Sequence, residues 1–219
     1  MKTERGTKER ILDEAEKLFA EQGFAGTSMR AITTAADANL AAVNYHFGSK
    51  ESLIDAVFTR RLEPINRERL EWLDRLEAAT DAPSLEDILE AFLGPPLRVS
   101  QHPVEGKSLL HVAQMIGHAT SRPDSRIKDM LIQQFDTIVE RFTAALARQL
   151  PELDPGQMLW RFLFMIGTMA HTMAISQDIK AYTQGVCDPN DAEGLLRTMV
   201  PFVAAGFRAP APSIEGDAA

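Results

Sequence analysis

The stretch NLAAVNYHFGSK, residues 39–50, sets Tyr45 and His46 side by side next to a Gly-Ser-Lys break. A histidine used for general acid-base catalysis needs a carboxylate or a nucleophile held within about 3 Å. On its helix His46 instead has the alanines Ala41 and Ala42 as neighbours, and nowhere in the chain is there a Ser-His-Asp spacing or an HExxH pattern. Gly48-Ser49-Lys50 alone is not a phosphate-binding loop, which needs the longer GxxxxGK[ST] pattern. His111 and His118 are seven residues apart and share one helix face, but no carboxylate or third histidine stands around them at ligand spacing. They read as polar-rim or satisfied core histidines. The expectation is a protein that is not an enzyme and needs neither metal nor cofactor.

Charge narrows the choice of partner. The net charge of −8 argues against a polyanion, but residues 1–62 hold nine basic and nine acidic side chains, and the whole excess lies beyond them. Only the first section can lie against nucleic acid without strong repulsion. The single cysteine, Cys187, excludes an internal disulfide framework. The start has no signal-peptide pattern, and the apolar run MLWRFLFMIGTMAHTMAI is interrupted by Arg161, Gly167 and His171. A cytoplasmic location without a membrane span is expected.

The elements that position these residues are helical throughout, so the expected class is all-α. Residues 7–22 carry Ile11, Leu12, Ala15, Leu18 and Phe19 on one stripe, and Gly23 supplies a left-handed stop. Thr27 or Ser28 caps a short second helix, and Asn39 caps a third from Leu40 to Phe47. Gly48 ends the third helix, and Ser49 caps a fourth that continues through Pro64. Beyond residue 79 breakers such as GPP (94–96) and PELDPG (151–156) separate further helices at about 85–99, 109–119, 124–149, 155–178 and 191–207. The expected domains are 1–50, a three-helix helix-turn-helix for DNA, and 51–208, a helical bundle for ligand binding and dimerisation. Residues 209–219 read as a disordered tail.

On a helical wheel Leu40, Val43 and Phe47 group toward the core, while Ala41, Ala42, Tyr45 and His46 point away, with Asn44 on the flank. Two short helices joined by a tight turn, the second carrying this face, make a reading head for a DNA major groove. Small alanines allow close approach and meet thymine methyls, Asn44 can pair with adenine, and Tyr45 and His46 reach base edges or phosphates. Thr27 and Ser28 at a helix N-terminus, and Lys50 at another, suit phosphate.

Residues 11–58, above all AEKLFAEQGFAGTS and NYHFGSKESL, resemble the N-terminal DNA-binding domain of the TetR family of bacterial transcriptional regulators. The resemblance implies a homodimer on a palindromic operator of double-stranded DNA, acting as a repressor released by a small molecule. It places phosphate contacts on Thr27, Ser28, Tyr45, His46 and Lys50 and base contacts on Ala41, Ala42 and Tyr45. Asp37 departs from the Gly frequent in the family's turn, and Asn44 from a frequent Tyr. A looser similarity, through LWRFLFMIGTMAHTM and MVPFVAAGFRA, extends to the fatty-acid-responsive PsrA type and implies a long-chain fatty acid or its CoA ester as effector. The alternatives are a different hydrophobic or aromatic effector, or a helical interaction module that does not bind DNA.

Residues 63–208 are rich in Met and Phe, a composition that suits a cavity for a flexible apolar ligand as well as an ordinary core. The candidate effector residues are Phe92, His111, Met115, Phe135, Phe164 and Met169. Arg98, His111 or Arg161 could hold a carboxylate at the pocket mouth. The last two long helices are apolar around more of their circumference than a surface helix needs. They are expected to pair with their symmetry mates through Trp160, Gly167, His171, Met199, Phe202 and Gly206.

Overall fold

A computed structural model describes residues 6–80, 82–100, 105–121, 125–174, 176–188 and 191–210. Among them there are helices and no strands: α1 Thr7–Gly26, α2 Met29–Ala35, α3 Leu40–Phe47, α4 Lys50–Ala79, α5 Leu85–Ser100, α6 Glu105–Ser121, α7 Ser125–Gln133, α8 Asp136–Gln149, α9 Pro155–Ala174, α10 Ser176–Tyr182 and α11 Ala192–Arg208. No helix among the described residues is long and apolar enough to cross a membrane. Residues 211–219 of the expected tail lie outside the described residues.

The chain packs as two compact units. The first comprises residues 1–67 and 102–137, the second residues 68–101 and 138–219. In the first, α1, α2, α3 and the start of α4 close around Ile11, Phe19, Ile32, Val43, Leu53, Val57 and Phe58, and α6 adds Val112 and Met115 along α1. The apolar stripe of α1 is thus covered on more than one side. A buried carboxylate, Glu16, ties the layers together: its Oε2 accepts from Arg60 Nη2 at 2.8 Å and from Arg61 Nε at 2.7 Å. His111 Nδ1 on α6 lies 3.4 Å from Oε1 of the same carboxylate.

The second unit closes around Phe92, Phe142 and Phe162, with the inner faces of α5, α8, α9 and α11. Here α5 runs through Gly94-Pro95-Pro96 to Ser100, in keeping with the helix expected over about 85–99, and all three residues are buried. Gly94 gives close approach: a Cβ there would lie 2.6 Å from Arg98 Nη1 and 3.2 Å from the Trp72 ring, so both side chains would have to shift. The helix expected over 124–149 is, by contrast, two helices. Gln134 sits in the turn between α7 and α8, its amide donating to Asp55 Oδ1 and Thr59 Oγ1, both at 3.1 Å. Its carbonyl accepts from the buried Asn66 at 2.9 Å. These polar anchors on α4 offset the interruption of the helix ladder.

Candidate nucleic-acid interface

The reading head is built from caps. Gly23, at φ +71°, kinks α1 three residues before its end, a conformation open to glycine at little cost. Ser28 Oγ then accepts from Ala31 N at 3.1 Å and starts α2. Asn39 Oδ1 accepts from Ala42 N at 2.8 Å and starts α3, and Gly48 at φ +76° ends it. Ser49 Oγ accepts from Ser52 N at 3.0 Å and starts α4. Between α2 and α3 the chain turns at Asp37, a non-glycine residue at φ +47°. Arg10 on α1 braces that turn, donating from Nε to the Ala36 carbonyl at 3.1 Å and from Nη2 to the Asp37 carbonyl at 3.3 Å. Nothing in the sequence pattern marks Arg10 for this work.

Five caps and stops between Gly23 and Ser49 hold α3 with one edge in the core and the rest outside. Val43 is fully buried and Phe47 half-buried. Ala41, Asn44, Tyr45 and His46 are exposed, Tyr45 at 87% of its surface. The Tyr45 and His46 rings meet edge to face at 5.1 Å. Two expectations need correction. Leu40 is not an anchor, being 53% exposed: it sits in the first turn, where α3 overhangs the core. Ala42 is half-buried and packs on that core, so the outward face is narrower than the wheel implies.

The phosphate-contact set divides further. Thr27 is 1% exposed, and its hydroxyl lies 2.9 Å from the Gly23 carbonyl and 3.0 Å from that of Leu18. That hydroxyl fixes the end of α1 and faces inward, so the expectation that it is offered to a phosphate fails. Ser28 is exposed, and accepting from Ala31 leaves its own O–H for a donor role. Lys50 Nζ bonds the Phe24 carbonyl, pinning α4 to the end of α1 while half its side chain stays at the surface.

The expected effector residues are not brought together. His111, Met115 and Phe135 belong to the first unit, Met115 fully buried in its core and Phe135 packed against it. His118, the other histidine on α6, holds the Ala20 carbonyl from Nε2 at 3.0 Å. In the second unit Phe164 is 64% exposed and stacks on Trp160 at 5.8 Å, so it faces away from the core. Phe92 and Met169 alone meet, on either side of Arg69. Arg98 pairs with Glu90 and Glu193, and Arg161 donates to the Gly206 and Phe207 carbonyls, so neither waits at a pocket mouth. Of the expected pairing surface, Trp160, Gly167, His171, Phe202 and Gly206 are exposed, but Met199 is a core residue at 5% exposure.

Arg69, a buried charge in the second unit, is a further residue not singled out from the sequence. A signal existed, because Arg69 falls on the apolar stripe of α4 marked by Leu62, Ile65 and Leu73.

Two family models match this chain. The bacterial regulatory proteins of the tetR family match residues 11–57, and the tetracyclin repressor-like C-terminal domain matches residues 90–206, more than half of the chain. The chain belongs to the TetR family. It is therefore a transcriptional regulator with a helix-turn-helix DNA-binding part and a ligand-binding part, in a family of regulators and not of enzymes. A curated Bacillus subtilis relative, the probable HTH-type transcriptional regulator YttP, is 43% identical over 49 residues, 22% of this chain and 24% of that protein. Among solved structures, the fatty acid degradation regulator FadR of Bacillus halodurans aligns with a TM-score of 0.64 at 14% identity, over 95% of this chain and all of that one. A TetR-family regulator of Bordetella parapertussis aligns at 0.62 and 17% identity, over 91% and 94%. At such identities the likeness shows a shared TetR fold.

Proposed function

We propose that this TetR-family chain is a cytoplasmic repressor that binds a palindromic operator as a homodimer and leaves it when a small apolar effector binds. Residues 1–50 carry the DNA contacts in this reading, and residues 51–208 the effector and dimer surfaces, with α6 and α7 packed into the unit of the reading head. The observation that carries the DNA part is α3 itself: capped at both ends, anchored by Val43, and presenting Ala41, Asn44, Tyr45 and His46 to solvent. Ala41 and Tyr45 contact bases, Asn44 a base edge, and Ser28, His46 and Lys50 phosphates. Ala42 acts only through its exposed side.

Self-association is supported by an apolar surface on the two long helices of the second unit. Leu159, Trp160, Leu163 and Phe164 on α9 and Phe202 on α11 are each 47% exposed or more. Exposed large apolar side chains grouped in this way mark an interaction surface. A two-fold axis there sets two reading helices about 34–36 Å apart or a multiple of it, one helical repeat of DNA. The effector reading, a long-chain fatty acid or its CoA ester, is supported by the PsrA-type resemblance and by the methionines of α9.

Footprinting on the promoter upstream of its own gene tests this reading. Two protected half-sites related by a dyad, lost on adding effector, are expected. Protection of a single site with no symmetry contradicts the dimer.

A further inference from the structure

The first unit holds a recess of about 80 Å³ that neither the DNA contacts nor the effector reading uses. Its walls include Gly23, Phe24 and Ala25 near the end of α1, His118 and Ala119 on α6, and Ile127 on α7. Phe24, Ala119 and Ile127 are buried, whereas Ala25 is exposed and forms the mouth.

Two residues give the recess its character. Gly23 is needed for the kink at φ +71°, and the same glycine puts no side chain against α6. A Cβ there would touch the imidazole of His118, 3.5 Å from Nδ1 and 3.7 Å from Cε1, so the Nδ1 edge of the ring stays uncovered on that side. The other ring nitrogen is committed. Nε2 lies 3.0 Å from the Ala20 carbonyl, which can only accept, so Nε2 carries the hydrogen. In the neutral ring Nδ1 is then a bare acceptor, and none of the described residues donates to it.

An acceptor set among apolar walls restricts what can bind. No charged side chain among the described residues lines the recess, so an ion would leave water without a partner, which is costly. A purely apolar molecule would cover Nδ1 and leave it without a donor, which offsets part of the gain from apolar contact. A compact apolar body with one O–H meets both conditions. A dry apolar cavity of roughly 150 Å³ takes benzene whole. A recess of about 80 Å³, open at Ala25, therefore takes most of one such ring and leaves an edge at the mouth.

We propose that this recess is a binding site for a small neutral ring compound carrying one hydroxyl, phenol being the simplest, with the hydroxyl donating to His118 Nδ1 and the ring lying between Phe24, Ala119 and Ile127. The site does not depend on the effector reading above. It borders the joint that holds the reading head: the Phe24 ring packs on Phe19 at 5.5 Å and on Phe58 at 6.2 Å, and the Phe24 carbonyl accepts from Lys50 at the start of α4.

Titration of the isotope-labelled full chain with phenol and with toluene, followed by the backbone amide resonances of Gly23, Ala25 and Ala119, tests the proposal. His118→Phe keeps a ring and removes the acceptor, and Ala25→Leu fills the mouth from a surface position. Phenol should give saturable shifts at these amides in wild type. His118→Phe should weaken phenol about three- to tenfold, as for one neutral hydrogen bond lost, with toluene nearly unchanged. Ala25→Leu should weaken both compounds. The proposal is overturned by the lack of saturable phenol shifts in wild type, by equal phenol affinity in wild type and His118→Phe, or by unchanged binding in Ala25→Leu. If His118→Phe does not fold, the Nδ1 resonance of His118 in wild type decides. It should move upfield with phenol and not with toluene, and a resonance that phenol leaves in place contradicts the assignment.

Discussion

The carboxylate of Glu16 on α1 and the guanidinium of Arg61 on α4 meet at 2.7 Å inside the reading-head unit, Glu16 being 3% exposed. Arg60 closes on the same oxygen, and its Nη1 reaches Asp13 at 2.9 Å. Removing the shared carboxylate strips Arg61 of this partner and leaves Nη2 of Arg60 without its acceptor, while Nη1 of Arg60 keeps Asp13 and Glu9. Glu16→Ala should therefore destabilise the protein by about 3 kcal/mol or more, as for a broken buried pair. Denaturant unfolding checks this, and Arg61→Ala, whose partner keeps Arg60, should cost less.

Thr27→Val separates anchoring from DNA contact. The substitution keeps the shape and removes the hydroxyl that serves the Gly23 and Leu18 carbonyls, so stability should fall by about 1–2 kcal/mol. The dependence of operator affinity on salt should not change, because no phosphate contact is lost. Ser28→Ala, removing the exposed cap of α2, should lower both stability, by about 1 kcal/mol, and operator affinity.

The fold class, the caps at Ser28, Asn39 and Ser49 and the stops at Gly23 and Gly48 were legible because each depends on neighbours in sequence. What was not legible depends on partners far along the chain. Thr27 looked like a phosphate contact because a cap position says nothing about which way a hydroxyl finds its acceptor. Gln134 splits an apparently continuous helix because Asp55, Thr59 and Asn66 wait for it on α4. Met115 and Phe135 looked like effector residues by composition alone, yet the packing of α6 and α7 assigns them to the head. Leu40 has the phase of a core residue and lacks the depth.

The exposed apolar surface of α9 and α11 gives a third prediction. Phe202 is 68% exposed, so Phe202→Glu should leave thermal stability of the isolated chain nearly unchanged while shifting a dimer to monomer. Sedimentation velocity at micromolar concentration reads the outcome. Unchanged mass for both Phe202→Glu and Trp160→Glu would remove this surface from the account.

Two ion pairs tie α5 to α11 in the second unit: Arg208 to Glu86 at 2.8 Å, and Arg98 to Glu193 at 2.7 Å. The hydrogen bonds from these arginines hold both glutamates below the usual carboxylate range. Because the folded values are depressed, the stabilisation is present above the ordinary glutamate pKa and is lost as pH falls through the folded values. The Glu86→Gln, Glu193→Gln double variant should be slightly less stable than wild type at neutral pH and equal to it in acid. Both pairs are largely exposed, so the difference should be small and should shrink further in high salt.

The claim that matters most is that the outward face of α3 reads DNA, and fluorescence anisotropy on a duplex from its own promoter measures it directly. Wild type should bind this duplex far more tightly than an unrelated one, with affinity falling steeply as salt rises. Tyr45→Ala, at a residue 87% exposed, should cost about 1–3 kcal/mol of operator affinity without lowering the unfolding temperature. Equal affinity for both duplexes, or a Tyr45→Ala protein that binds the promoter as wild type does, would contradict the account.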